Sequence, residues 1–356
     1  MELESVNGEL TQLFPPESES DDKSTWCSSV SRSCFGVSLA TLSGLLYGLS
    51  TVFIVLAQNG GADSIQVTFT QNIFCIAFSA PVTAYLRHPV FDYSKEERIL
   101  LMVISVVEVA GRISLFYAFR FGLAGNVTAI TLGALPVLTP LFACIYNREP
   151  WKKADAINSV FNITGIVLIA GPSSTTDDIS KEDNIAVLSI LLSILSAAFF
   201  AIEAVATHSI PSVHVFVILL YVGAVGSVIT FPMLFVGNLV TWHLSTMCWI
   251  YLLLEAFCYL LATIGFILAL QRENPATVVL LSNIQICVAY IGDVLIFGKT
   301  VKLLQILGSV LILASSAIVA CYTCVENRAN IKTSQVKKTS RQRKDDVFST
   351  RCQQDN

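Results

Sequence analysis

Two stretches of the chain, Cys34 to Gly171 and Ala186 to Tyr322, each break into five apolar runs separated by polar or Gly/Pro clusters. Five is odd, and that parity constrains the fold more than any other feature. A run of about 20 apolar residues crosses a bilayer once as a helix. Five crossings leave the chain on the far side, so the second copy must thread the membrane in the opposite sense to the first. The runs fall near 34–58, 64–86, 98–118, 124–146, 155–171, 185–207, 213–236, 247–270, 275–297 and 301–322. They are long and continuous rather than alternating, which selects helices over a barrel. The fifth is short and carries Asn158 and Asn162. The fold class expected is an all-α membrane protein with ten transmembrane helices, arranged as two inverted five-helix repeats.

The two copies match at particular positions. Leu42-Ser43-Gly44-Leu45-Leu46-Tyr47-Gly48 in the first span corresponds to Leu195-Ser196-Ala197-Ala198-Phe199-Phe200-Ala201 in the sixth. Both place small residues four apart, which lets a neighbouring helix approach closely. Pro81 in the second span answers to Pro232 in the seventh. Glu149 is followed by Asn158 and Gly165 after nine and sixteen residues, and Lys299 by Gly308 and Ser315 at the same spacings. One such match is within reach of composition bias. Four at offsets of 150 to 153 are not. The domain organisation read from this is an acidic tail over 1–33, a first repeat over 34–171, a loop over 172–184, a second repeat over 185–322 and a basic tail over 323–356.

Composition agrees: 54% of the 356 residues are hydrophobic and only 13% charged, against about a quarter charged in soluble domains. Orientation follows from where Lys and Arg sit outside the spans. With the N-terminus inside, seventeen fall on the inner side, eight of them after residue 322, and four on the outer side: Arg120, Lys181, Lys299 and Lys302. Both termini are expected in the cytoplasm, with both tails disordered. No cleavable leader is expected, because Glu17, Glu19, Asp21 and Asp22 stand where an apolar core would be needed; the first span then serves as an uncleaved targeting signal. The glycosylation patterns at Asn126 and Asn162 fall at or inside spans and are expected to stay unmodified. Cys75, Cys144, Cys258 and Cys287 lie within spans and read as free thiols packed as small hydrophobes. Cys321 and Cys324 form a lone C-x-x-C without two further ligands, so no metal or other cofactor is expected.

Certain local patterns go further. Ala129-Ile-Thr-Leu-Gly-Ala-Leu-Pro136 runs on to Asn147-Arg-Glu149 and then to Phe161-Asn-Ile-Thr-Gly-Ile-Val-Leu-Ile169. With a small-residue first helix and a charged residue leading into a Gly-containing fifth, this resembles the EamA-type drug/metabolite transporter superfamily, and in particular the G-type members of the solute carrier 35 family. The resemblance covers about 34–322. It implies a central cavity flanked by the third, fourth, eighth and ninth helices. The second copy departs from the pattern: it has Lys299 where an acid is usual, and Ile286 aligns near Pro136.

Ionisable residues inside spans are the best functional pointers, since each costs about 2.5–3.5 kcal/mol at a helix centre on insertion scales. Glu108 and Arg112 stand four apart on one helical face of the third span and can neutralise each other. They read equally as an internal ion pair pinning helices and as solute contacts. Arg112 is the one cation deep in a span, and its planar fork suits an anionic group. Glu203 and Glu255 lack a charged neighbour in sequence, as proton carriers do; neutral, hydrogen-bonded carboxyls are the structural alternative. Asp293 sits six residues from Lys299 and reads as interfacial. In the fourth span Asn126, Thr128, Thr131 and Thr139 accompany Pro136 and Pro140; in the ninth, Asn274-Pro275 reads as a helix start, followed by Thr277, Ser282, Asn283 and Gln285. Such amides either line a cavity or join helices; with the resemblance, cavity lining is the reading taken. His208 and His214 lack ligand-spaced partners and read as loop histidines.

The expected function is alternating-access movement of a small polar metabolite, with an organic anion as the candidate class. Glu108, Arg112, Thr131, Glu255 and Asn283 are the expected substrate-binding residues, and Glu203 and Glu255 the proton-coupling candidates. There is no P-loop, H-E-x-x-H or G-x-S-x-G, so an enzyme is not expected. Two rivals stand beside this reading: a nucleotide-sugar transporter of the same superfamily, which would want more cations, and a non-transporting adaptor working through its tails. The expected partners are a solute, membrane lipid and, as an option, a second copy of the chain, with no nucleic acid. The expected setting is a plasma membrane or an endomembrane of the ER or Golgi.

Overall fold

The structure, a computed structural model, describes residues 24–146, 153–170, 181–236, 243–273, 275–315 and 317–318. The acidic segment before residue 24, Glu149, the Asn274 cap, and the basic tail with Cys321 and Cys324 lie outside these residues.

A chain this apolar must satisfy its backbone within each segment, and it does so as helix. In order these are α1 (Ser24–Asn59), α2 (Ser64–Tyr85), α3 (Lys95–Phe121), α4 (Ala124–Tyr146), α5 (Lys153–Ala170), α6 (Lys181–His208), α7 (Val215–Met233), α8 (Thr246–Leu270), α9 (Pro275–Ser282) and α10 (Gln285–Leu295), then α11 (Leu303–Ser315). Starts are encoded locally. Asp63 and Gln66 form a capping box on α2, and Ser94 and Glu97 one on α3, so the exposed first-turn N–H groups are met by side chains.

Among the described residues eight segments are long and apolar enough to cross a membrane, the last of them Thr277–Leu295, which takes in most of α9 and all of α10. The expected fifth and tenth spans are described as shorter apolar helices, Ala156–Ala170 and Leu303–Ser315. Fifteen helical residues rise about 22 Å, less than a hydrocarbon core of about 30 Å. The ninth span differs from the continuous helix expected. It breaks at Asn283 and Ile284, where Asn283 N donates to Leu280 O at 3.3 Å, Ile286 N to Asn283 O at 3.0 Å and Cys287 N to Ile284 O at 3.1 Å. These tight three-residue turns follow Ser282, whose hydroxyl bonds back to Val278 O at 3.0 Å and so competes with the regular ladder.

Helices from the two copies pack on one another through small residues. α2 meets α7 where Gly226 faces the Asn72 amide and Gly223 faces Asn72 O. α5 crosses α11 so closely that a Cβ on Gly308 would sit 2.6 Å from Gly165 O. Beside that crossing Asn162 Nδ2 donates to Asn158 O at 2.8 Å and to Ser315 Oγ at 3.2 Å. Asn162 is fully buried and so occupied that a glycan has no room. α3 lies on α6, where Ser189 Oγ donates to Ala118 O at 3.0 Å; α1 lies on α8, where Tyr47 OH donates to Thr263 Oγ1 at 3.0 Å. α4 meets α10, where Asp293 Oδ2 accepts from Gly125 N at 2.6 Å. Asp293 is thus a buried cap on α4 rather than the interfacial group expected. The faces left over carry exposed Ile157, Val160, Val228 and Leu303, the apolar exterior that lipid requires.

Two loops outside the spans meet through imidazoles: His88 and His214 stack with centroids 4.1 Å apart and planes 24° from parallel. The ring of His214 also caps α7, accepting from Phe216 N at 3.4 Å. Burial and then the neighbouring His88 push His214 down to about 4 from 6.5. A depressed histidine binds its proton more readily in the unfolded chain, so stability is full above the ordinary value and falls as pH drops from 6.5 toward 4. The melting temperature of detergent-purified protein should therefore decline across that window, and His214→Phe should flatten the decline.

Candidate functional site

A cavity of about 110 Å³ lies among α1, α2, α3, α4, α6, α8, α9 and α10, several times the space one water needs. Its polar wall is made by Tyr47, Ser50 and Thr51 of α1, Gln71 of α2, Glu108 and Arg112 of α3, Thr128 and Thr131 of α4, Glu203 of α6, Tyr259 of α8, Ser282 of α9 and Gln285 of α10. Phe116, Phe119, Phe200 and Phe266 supply aromatic surface between them.

Arg112 organises the polar side. Only 2% exposed, it cannot be left uncompensated in so dry a place. Its Nη1 donates to Gln71 Oε1 at 3.0 Å and its Nη2 to Asn72 Oδ1 at 2.8 Å. Glu108 lies one turn back, with Oε1 3.8 Å from the guanidinium Nε, and the Tyr259 ring lies beneath the cation with its centroid 5.0 Å away. The Tyr259 hydroxyl in turn donates to Glu108. Behind the wall, Glu255 is completely buried. Its Oε1 accepts from Ser50 Oγ at 2.9 Å and from Gln71 Nε2. A continuous chain thus runs from Ser50 through Glu255, Gln71, Arg112 and Glu108 to Tyr259, crossing from α1 to α8, α2, α3 and back to α8.

Of the expected substrate-binding and proton-coupling residues, Glu108, Arg112, Thr131 and Glu203 share the cavity wall, as do Thr128, Ser282 and Gln285 from the polar sets of the fourth and ninth spans. Glu255 stands one residue behind it, joined through Ser50 and Gln71. Asn283 is buried at the break in the ninth span and does not line the cavity; its neighbours Ser282 and Gln285 do. Thr131 Oγ1 donates to Ser193 O at 3.3 Å, tying α4 to α6. Glu203 has no hydrogen-bond donor among the described residues, in contrast to Glu255.

Gln71, Asn72, Ser50 and Tyr259 escaped the sequence reading. A signal existed for the first two: adjacent amides inside an apolar span, the same criterion that flagged Asn283 and Gln285. For Ser50 and Tyr259 the signal was the repeat. Ser50 stands 153 residues before Glu203, Tyr47 153 before Phe200, Glu108 151 before Tyr259 and Thr131 151 before Ser282, and every one of these eight residues lines the cavity. Among the described residues there is no cluster of His, Cys, Asp and Glu suited to a metal ion.

The EamA-like transporter family model matches residues 34–171 and 187–321, together well over half of the chain. Solute carrier family 35 member G1 of Homo sapiens is 26% identical over 292 residues, covering 79% of this chain and 77% of that protein. The Mus musculus protein of the same name is 26% identical over 137 residues, 38% of this chain and 36% of its own length. A crystal structure described simply as that of a protein superposes with a TM-score of 0.59 at 15% identity, covering 80% of this chain and 97% of that one, a likeness of fold.

Proposed function

The chain belongs to the EamA-like transporter family as a multi-pass membrane protein of the solute carrier 35 type, and on that premise we propose that it carries a small organic anion by alternating access, with Arg112 as the anion-binding group. The observation that carries this reading is the state of the Arg112 fork. Both Nη groups face acceptors at hydrogen-bond distance, yet these are the neutral amide oxygens of Gln71 and Asn72. A carboxylate adds to such a bond the full negative charge and two-oxygen geometry that match a guanidinium fork, which a neutral amide oxygen lacks. A solute carboxylate in the cavity is therefore a better match for the fork than the Gln71 and Asn72 amides are.

One guanidinium faces three carboxyl groups in and behind this wall, Glu108, Glu203 and Glu255. An anion brings a further negative group beside them, so its loading favours the protonated form of a nearby acid. That assigns Glu203 and Glu255 to proton coupling, with Thr131 and the residues about Asn283 shaping the remaining wall.

The proposed architecture is ten helices in two inverted halves, with both termini cytoplasmic. The reciprocity of the packing supports it: α3 on α6 answers to α8 on α1, α2 meets its own counterpart α7, and α4 meets α10 of the ninth span. Residues one repeat apart line the same cavity, and one such pair, Glu108 and Tyr259, shares a hydrogen bond. Solute sites between inverted halves, beside a broken helix, are a recurrent transporter arrangement.

Uptake of labelled organic acids into proteoliposomes tests this reading. The wild type should accumulate them, with stimulation by an imposed proton gradient, and Arg112→Ala should fall to background. Undiminished uptake in the variant removes Arg112 from the mechanism. A second reading rests on Glu203, which lines the cavity beside Phe200 and Phe266 without a donor among the described residues: an organic cation held by that carboxylate and the rings. Labelled amines in the same vesicles, with Glu203→Gln as the control, separate the two.

A further inference from the structure

We infer that the Gln71–Asn72 amide pair of α2 is an internal competitor for Arg112, which the solute anion must displace, and that its displacement loosens the contact between the two halves. This deepens the organic-anion reading and rests on it.

The pair is bonded at both ends. On one side the two amide oxygens take the two Nη groups of Arg112, which belongs to the first copy. On the other side the amide nitrogens reach the second copy: Gln71 Nε2 donates to Glu255 on α8, and Asn72 Nδ2 to Thr230 Oγ1 on α7 at 3.4 Å. Gly226 of α7 lies directly against the Asn72 amide, so close that a Cβ there would sit 2.6 Å from its nitrogen. Through these two side chains, Arg112 of the first copy holds α7 and α8 of the second.

Gln71 also lines the cavity, whereas Asn72 stands behind it. A carboxylate arriving from the cavity therefore meets the Gln71 bond first. The exchange replaces a neutral acceptor by an ionised one and is favourable. It also releases an amide that was spanning the halves. A ligand shifts a conformational equilibrium only through contacts that differ between the states, and this exchange supplies such a difference at the residue that binds the solute.

Removing the competitor should tighten binding, the reverse of what truncating an ordinary lining residue does. Gln71→Met keeps the length and removes the acceptor. Asn72→Asp places a fixed carboxylate on the fork. The readout is the ligand-dependent melting shift of full-length protein in detergent, titrated with acetate, succinate and tricarballylate. We expect at least one of these to bind the wild type, with Gln71→Met binding it about tenfold more tightly, the low end for a hydrogen bond to a charged group. Asn72→Asp should bind it at least about tenfold more weakly, because the anion must then displace an ionised partner. Weaker binding by Gln71→Met, or wild-type binding by Asn72→Asp, overturns the inference and leaves the anion reading standing. No shift with any carboxylate in the wild type overturns both. Should Gln71→Met fail to fold, the Asn72→Asp comparison decides alone.

Discussion

Arg112→Met should lower the unfolding free energy of the detergent-solubilised protein by about 3–5 kcal/mol, the cost typical of removing one partner from a buried charge pair. The size follows from what is stranded. Among the described residues Glu108 keeps only the Tyr259 hydroxyl, and the oxygens of Gln71 and Asn72 both lose the Arg112 donor. Glu108→Gln in the same background should restore part of the loss, because a buried neutral amide is far less costly than a buried unpaired carboxylate. The residue of the loss, about 1–3 kcal/mol for an unsatisfied buried polar group, belongs to the α2 amides. Denaturant unfolding of the wild type, both single variants and the double variant measures the coupling directly. If Arg112→Met costs less than about 1 kcal/mol, Glu108 is neutral in the folded protein and the ion pair is not what holds α3 to its neighbours.

Gly44→Leu should reduce transport at least about tenfold and destabilise the protein by roughly 1–3 kcal/mol, the cost typical of overpacking a tight contact. A Cβ at Gly44 would lie 2.9 Å from the Cα and carbonyl oxygen of Ser282 and 2.9 Å from a methyl of Ile284. Those atoms form the break between α9 and α10, and backbone cannot step aside as a flexible side chain can. The wall at Ser282 and Gln285 must then move outward. Leu42→Ala is the control: Leu42 lies two residues away on α1, 53% exposed on the lipid-facing side, and its truncation should leave uptake unchanged. Equal uptake by Gly44→Leu and the wild type would mean that the close approach of α1 to this break does not shape the transport path.

The ion pair illustrates how far linear sequence reaches. The spacing of Glu108 and Arg112 was enough to place them on one helical face, because a helix brings residues four apart together whatever else the chain does. Their partners were not legible in the same way. Gln71 precedes Arg112 by 41 residues and Glu255 follows Gln71 by 184, and no local rule relates side chains at such separations. Asn283 shows the opposite failure. A regular helix would have turned it toward or away from the cavity by simple rotation, but the break after Ser282 resets the register, so Ser282 and Gln285 line the wall instead. Ser and Asn compete with the helical ladder wherever they occur, and here the resulting turn lies directly against Gly44 of α1, a contact between residues far apart in the chain.

What the sequence determined by itself is the membrane class, the helical segments and the pairing of two like halves. These follow from hydrophobic run length, from the need to satisfy backbone groups inside lipid, and from positional matches, all properties of contiguous residues. The tertiary structure alone decided which polar groups share one enclosed space, that Arg112 is held by neutral amides tied to the other half, and where the ninth span breaks. Helix–helix contacts in a bundle are set by close packing between surfaces distant in the chain, and a buried charge takes whichever partners that packing brings within reach.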